Sequence, residues 1–150
     1  MLTLSFALCL MGCDRGAPAS RNVEPETKFV AASGSILNRF GELASPDGSL
    51  VVNAERSSVS IVNYTVFETE SNSVFANGGG FSDAQRWCLY FDSSNQLWVY
   101  NSDIGGFGYW HRNDSTMEFV DVGRDTPKTE IPDAVMENLP NSIRRHFGWD

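Results

Sequence analysis

Between Trp87 and Val122 four short apolar runs follow one another so closely that the chain has one simple way to arrange them. The runs are Trp87–Phe91, Leu97–Asn101, Gly108–Arg112 and Met117–Val122. They are joined by Ser93-Ser94-Asn95-Gln96, by Ser102 to Phe107 and by Asn113 to Thr116. Parallel strands need a crossover of a dozen residues or more, whereas links this short close only hairpins. The segment is expected to form an antiparallel meander.

The same stretch concentrates aromatic side chains: Trp87, Tyr90, Phe91, Trp98, Tyr100, Phe107, Tyr109 and Trp110. Successive residues of a strand point to opposite faces, so Trp98 and Tyr100 share one face while Leu97 and Val99 share the other. In the next strand Trp110 points away from Tyr109 and His111. Both faces are then substantially apolar, which calls for a second sheet on one side and helices on the other. The alternative leaves an aromatic face open, with Trp98, Tyr100, Tyr109 and Trp110 as a platform for sugar rings or a protein partner. A small β domain needs such residues for its core, which favours packing over display.

Upstream, Ser45-Pro46-Asp47-Gly48 is a turn, with proline setting one dihedral and glycine accepting a left-handed one. Leu50-Val51-Val52 follows as a strand, and the β-branched and aromatic run Val59–Phe67 as a longer one. Asn72 to Asp83 reads as punctuation around a short Val74-Phe75, centred on Asn77-Gly78-Gly79-Gly80. Phe29 to Leu43 fits no single period: Phe29, Ile36, Leu37, Phe40 and Leu43 partly match helical spacing, but Ser33-Gly34-Ser35 and Gly41 oppose a helix. Near the C-terminus, Pro132 to Leu139 predicts a short helix with proline in its first turn, and Ile143 to Phe147 one further turn. The fold class expected is mainly β, one small antiparallel sheet or sandwich with minor C-terminal helix. The turn Ser45-Pro46-Asp47-Gly48 with Leu50-Val51-Val52 resembles the opening of a blade in Tol-type β-propellers. It does not recur at blade spacing, and too few strands are present to close a propeller, so the likeness implies a local hairpin start.

Few residues invite chemistry. The loop Asn101-Ser102-Asp103-Ile104-Gly105-Gly106 offers Asp103 as a calcium ligand, but it lacks regular acidic spacing and a following glutamate, and reads more simply as a hairpin loop. His111 and His146 have no metal-ligand spacing, and no serine lies in a nucleophile-elbow pattern. Asp92, Asp103, Asp114 and Glu118 sit at strand ends, where carboxylates usually form solvated turns. The glycine clusters neither open a helix nor carry a lysine, so they are not phosphate loops and no cofactor is expected. With a net charge of −8 and eleven scattered basic residues, of which only Arg144 and Arg145 are adjacent, the chain has no footprint for nucleic acid.

The N-terminus carries the clearest signal. Met1 to Met11 is an apolar run without a charged side chain, closing on Leu10-Met11-Gly12-Cys13, and the chain then turns polar at Asp14-Arg15-Gly16-Ala17-Pro18. It is well short of the roughly 20 residues that span a bilayer as a helix. The pattern resembles the lipobox of bacterial lipoproteins. That resemblance implies a signal peptide over 1–12, cleavage by signal peptidase II, and acylation of Cys13, which then contacts the membrane through lipid in the cell envelope. Such signals normally begin with Lys or Arg, so a start codon further upstream is expected. Residues 13–28, with two prolines and almost nothing apolar, read as a disordered tether, and 29–150 as a single β-rich domain. An acidic surface grips anionic headgroups poorly, which leaves the acyl chains as the membrane contact. Of three cysteines, Cys88 alone then remains as a thiol, inside an apolar run where it should be buried and inert. The function expected is non-catalytic interaction with another envelope protein or a glycan. The alternatives are a carbohydrate-binding module built on the aromatic platform and a small hydrolase with convergent carboxylates.

Overall fold

The computed structural model describes residues 28–149 apart from 58, 104, 115 and 123–126. Among the described residues nine strands form two sheets that follow chain order. The first holds β1 (Val30–Ala31), β2 (Gly41–Ala44), β3 (Leu50–Arg56), β4 (Ile61–Glu68) and β5 (Val74–Ser82). The second holds β6 (Trp87–Phe91), β7 (Leu97–Asn101), β8 (Gly106–Asn113) and β9 (Thr116–Asp121). All neighbours are antiparallel except β1, which lies parallel to β2 through Val30↔Glu42 and Ala31↔Leu43. The fold is therefore mainly β, and its second sheet is the meander that the short links require. Two six-residue helices close the described chain, α1 (Asp133–Asn138) and α2 (Asn141–His146), after a 3-10 turn at Lys128–Glu130. Pro132 and Pro140 stand immediately before them, where a missing N–H leaves no helical bond unmade.

The alternation in β6 and β7 decides the layering. Trp87, Leu89, Phe91, Leu97 and Val99 face the first sheet and pack with Leu43, Leu50, Val52, Val62, Val66 and Phe81. Cys88, Trp98 and Tyr100 face the other way, into a second core with Phe107, Val135, Met136, Leu139 and Trp149. The order is sheet, sheet, helices. β7 has water on neither face, and all five of its residues are buried.

Two segments depart from the sequence expectation. Asn72 to Asp83 is no short strand in a turn-rich stretch: β5 runs nine residues through the glycines. Gly78 is required there because a Cβ would stand 2.2 Å from the Tyr64 hydroxyl. That hydroxyl accepts a hydrogen bond from Trp110 Nε1 at 2.9 Å, tying the two sheets together. The β4–β5 pairing shifts register twice, between Val62 and Asn63 opposite the glycines and between Val66 and Phe67. Phe29 to Leu43 resolves as β1, β2 and a lone antiparallel bridge in which Leu37 exchanges both backbone bonds with Leu89 at 2.9 Å.

The Ser45-Pro46-Asp47-Gly48 turn links β2 to β3 and also clips the sheets at their tips. Asp47 Oδ1 accepts from the Ser45 hydroxyl at 2.7 Å and from the Ser49 backbone N–H at 2.9 Å. Its Oδ2 accepts from Asn95 Nδ2 at 3.0 Å, in the β6–β7 turn. These bonds, the Ser49 N–H first and the Ser45 hydroxyl next, hold the carboxyl below its ordinary 3.8. A depressed carboxyl stabilises the fold above 3.8 and loses that contribution as pH falls through its folded value. Asp47→Ala is expected to lower stability by about 1 kcal/mol at neutral pH, the net worth of one such hydrogen bond or little more at an exposed turn. Urea unfolding should show the difference between variant and parent shrinking below pH 4.

Candidate functional site

A depression on the described surface opens where β1 meets β2 and β3. It holds about 700 Å³ and is lined by Lys28, Phe29, Arg39, Phe40, Gly41, Ala54, Glu55 and Arg56. Gly41 and Ala54 pair across β2 and β3, and these two small residues leave the gap. Gly41 also admits β1. Its φ is 142°, and a Cβ there would lie 2.2 Å from the Phe29 carbonyl oxygen, which accepts the Glu42 N–H at 2.8 Å.

Three cations converge on this cleft from separate elements. The Arg39 guanidinium stacks 4.4 Å over the Phe29 ring, and that of Arg56 lies 4.9 Å over Phe40. Such stacks contribute roughly 0.5–1 kcal/mol each at exposed positions and hold the guanidinium plane in place. Lys28 Nζ pairs with Glu42 at 2.8 Å, and Arg56 with Asp83 at 2.7 Å. Arg39 forms no ion pair among the described residues. Nearby, Asn53 donates its Nδ2 to Glu55, while its buried Oδ1 has no partner among the described residues. Phe29 is 37% exposed and Val30 65%.

The aromatic residues proposed from the sequence as a platform are placed otherwise. Trp98 is 3% exposed and Tyr100 not at all, because α1 and the C-terminal segment cover that face. Burial takes both out of any stacking surface, so the open-platform alternative does not extend to them. Trp98 Nε1 donates to Asp92 Oδ2 at 2.8 Å, and its ring lies 4.8 Å from that of Tyr109. Tyr109 is half-buried against the same core, and half-buried Trp110 packs on the inter-sheet core with its N–H on Tyr64. The four do not share a face.

The candidate chemical groups are occupied locally. Asp103 Oδ2 accepts the Ser82 backbone N–H at 3.1 Å, as a loop-fixing residue does. Among the described residues no group of three or more His, Cys, Asp or Glu could hold a metal ion. Asp92 caps the β6–β7 turn by accepting from the N–H groups of Ser94 and Gln96, and Asp114 sits in the β8–β9 turn at a φ of 49°. Burial pushes the Cys88 thiol up to about 12, so the nucleophilic thiolate is suppressed. Cys13 lies outside the described residues.

No protein-family model matches the chain, and no curated protein or solved structure is detectably similar to it. The cleft is a site that the sequence reading missed. Its cations stand at positions 28, 39 and 56, and the only local trace was the pairing of a cation with a phenylalanine at Lys28-Phe29 and again at Arg39-Phe40.

Proposed function

We propose that this chain is a lipid-anchored protein of the bacterial cell envelope, in which the β domain is a non-catalytic interaction module. The apolar run closing on Leu10-Met11-Gly12-Cys13 carries the reading. Acylation there supplies roughly 0.8 kcal/mol per buried methylene, and two or three chains hold a protein on a membrane where one would not. No helix among the described residues is long and apolar enough to cross a membrane. The interaction role draws support from the cleft, which presents aromatic rings and cations to solvent. It draws further support from Cys88, which is buried, and from Asp92 and Asp103, which accept backbone N–H groups. The partner chemistry this favours is an envelope component bearing negative charge.

Metabolic labelling with a fatty acid tests the anchor. The parent protein should take up label and Cys13→Ala should lose it completely. A Cys13→Ala protein that labels as well as the parent, or an unacylated Met1 terminus on the native product, removes the reading.

A further inference from the structure

We propose that the cleft around Lys28, Phe29 and Arg39 seats the domain on anionic phospholipid headgroups of the membrane that holds its anchor, an inference that rests on the lipoprotein reading. Three observations converge on this. The first is donor chemistry. The Arg39 guanidinium lies with its carbon 4.4 Å over the Phe29 ring and forms no ion pair among the described residues. A guanidinium carries the fork of N–H donors that fits two phosphate oxygens. Lys28, paired with Glu42, and Arg56, paired with Asp83, flank it, and Glu55 lines the same cleft.

The second is the apolar exposure beside those cations. Phe29 and Val30 are among the few large apolar side chains left exposed, and both follow Lys28 directly. Cations next to protruding apolar side chains are the chemistry of a bilayer interface, where the heads meet phosphates and the apolar groups reach the acyl boundary. The third is position. About 15 residues separate Cys13 from Lys28, a span of at most ~50 Å when fully extended. Along the chain, the cleft is thus the part of the domain nearest the anchor.

Composition alone points away from this surface, since a net charge of −8 disfavours contact with anionic lipid. That average hides the local arrangement. In the cleft Lys28 and Arg56 are balanced by Glu42 and Asp83, and Glu55 lines the wall. The charge offered to a headgroup is therefore that of Arg39, with repulsion of the remaining acidic surface favouring this end.

The test uses the full chain carrying Cys13→Ser, so that no acyl chain contributes affinity. It is mixed with phosphatidylcholine vesicles and with the same vesicles containing phosphatidylglycerol. Binding should be stronger on the anionic vesicles and should fall with added salt. Amide exchange over residues 28–41 should slow on those vesicles alone. Arg39→Glu, a change of two charge units at an exposed bend, should weaken anionic binding by an order of magnitude or more, at roughly five-fold per unit. Phe29→Ala should weaken it without changing the salt dependence. Circular dichroism checks that both variants fold, and the exchange footprint of the parent decides if either does not.

Equal binding to both vesicle types, which the apolar leader alone would produce, overturns the proposal. So does anionic binding that Arg39→Glu leaves intact. Slowed exchange with inorganic phosphate but not with vesicles also overturns it, in favour of a site for a free oxyanion. An unacylated native N-terminus would remove the anchor and leave the vesicle result standing, so the two failures are distinguishable.

Discussion

Trp98→Ala is expected to unfold the domain or to leave it close to unfolding at ordinary temperatures. Truncating a buried tryptophan costs about 3–5 kcal/mol, a large share of the 5–15 kcal/mol that holds a domain of this size. At Trp98 the loss has two parts. The indole fills the core between the second sheet and the helices, against Phe107 at 6.3 Å and Tyr109 at 4.8 Å between ring centroids. Its N–H also satisfies Asp92, which organises the β6–β7 turn. Trp98→Phe separates the two, since it keeps most of the ring volume and removes the donor. Chemical unfolding should rank parent above Trp98→Phe and Trp98→Ala far below both. A Trp98→Ala protein as stable as the parent would contradict the burial and reopen the display alternative.

The second large effect concerns alkaline pH and comes from Cys88. In the unfolded chain its thiol ionises at the ordinary value near 9.0, whereas burial between the second sheet and the helices keeps it protonated up to about 12. The folded form therefore binds the extra proton between these values. Stability is fully present below 9.0 and is lost as pH rises toward 12. At 1.36 kcal/mol per unit the loss approaches about 4 kcal/mol as an upper bound. Burial also raises the Tyr64 and Tyr100 phenols, which add loss of the same sign from a higher starting pH. Cys88→Ala should remove the decline that begins near pH 9 and lessen it above pH 10, where the share of the two phenols remains. Thermal melts from pH 7 to 11 read this directly. Alkylation of Cys88 in the native protein should likewise be slow until the domain opens.

How much of this was legible in the sequence depended on whether a signal was local. The meander of the second sheet could be read because hairpin links forbid any other pairing. Its two-sided cover could be read because Leu97 and Val99 alternate with Trp98 and Tyr100. β5 could not, since Asn77-Gly78-Gly79-Gly80 is poor strand sequence by propensity. Those glycines answer a tertiary demand, the Tyr64 hydroxyl pressed against Gly78, and tertiary context overrides propensity. β1 and β2 were hidden for a related reason. Two residues of strand and one lone bridge at Leu37 leave no period to detect. The cleft was hidden most completely. Lys28, Arg39 and Arg56 become neighbours only once Gly41 lets β1 lie against β2.

That two-residue strand also sets how the domain answers a mechanical load. Any pull on the chain preceding Lys28 reaches β1 first, and β1 is held to β2 by a ladder only two residues long. β3 and β4, by contrast, are paired over seven positions. Under tension β1 should peel away well before the sandwich gives, acting as a fuse that parts the Arg39–Phe29 contact while the rest of the domain stays folded.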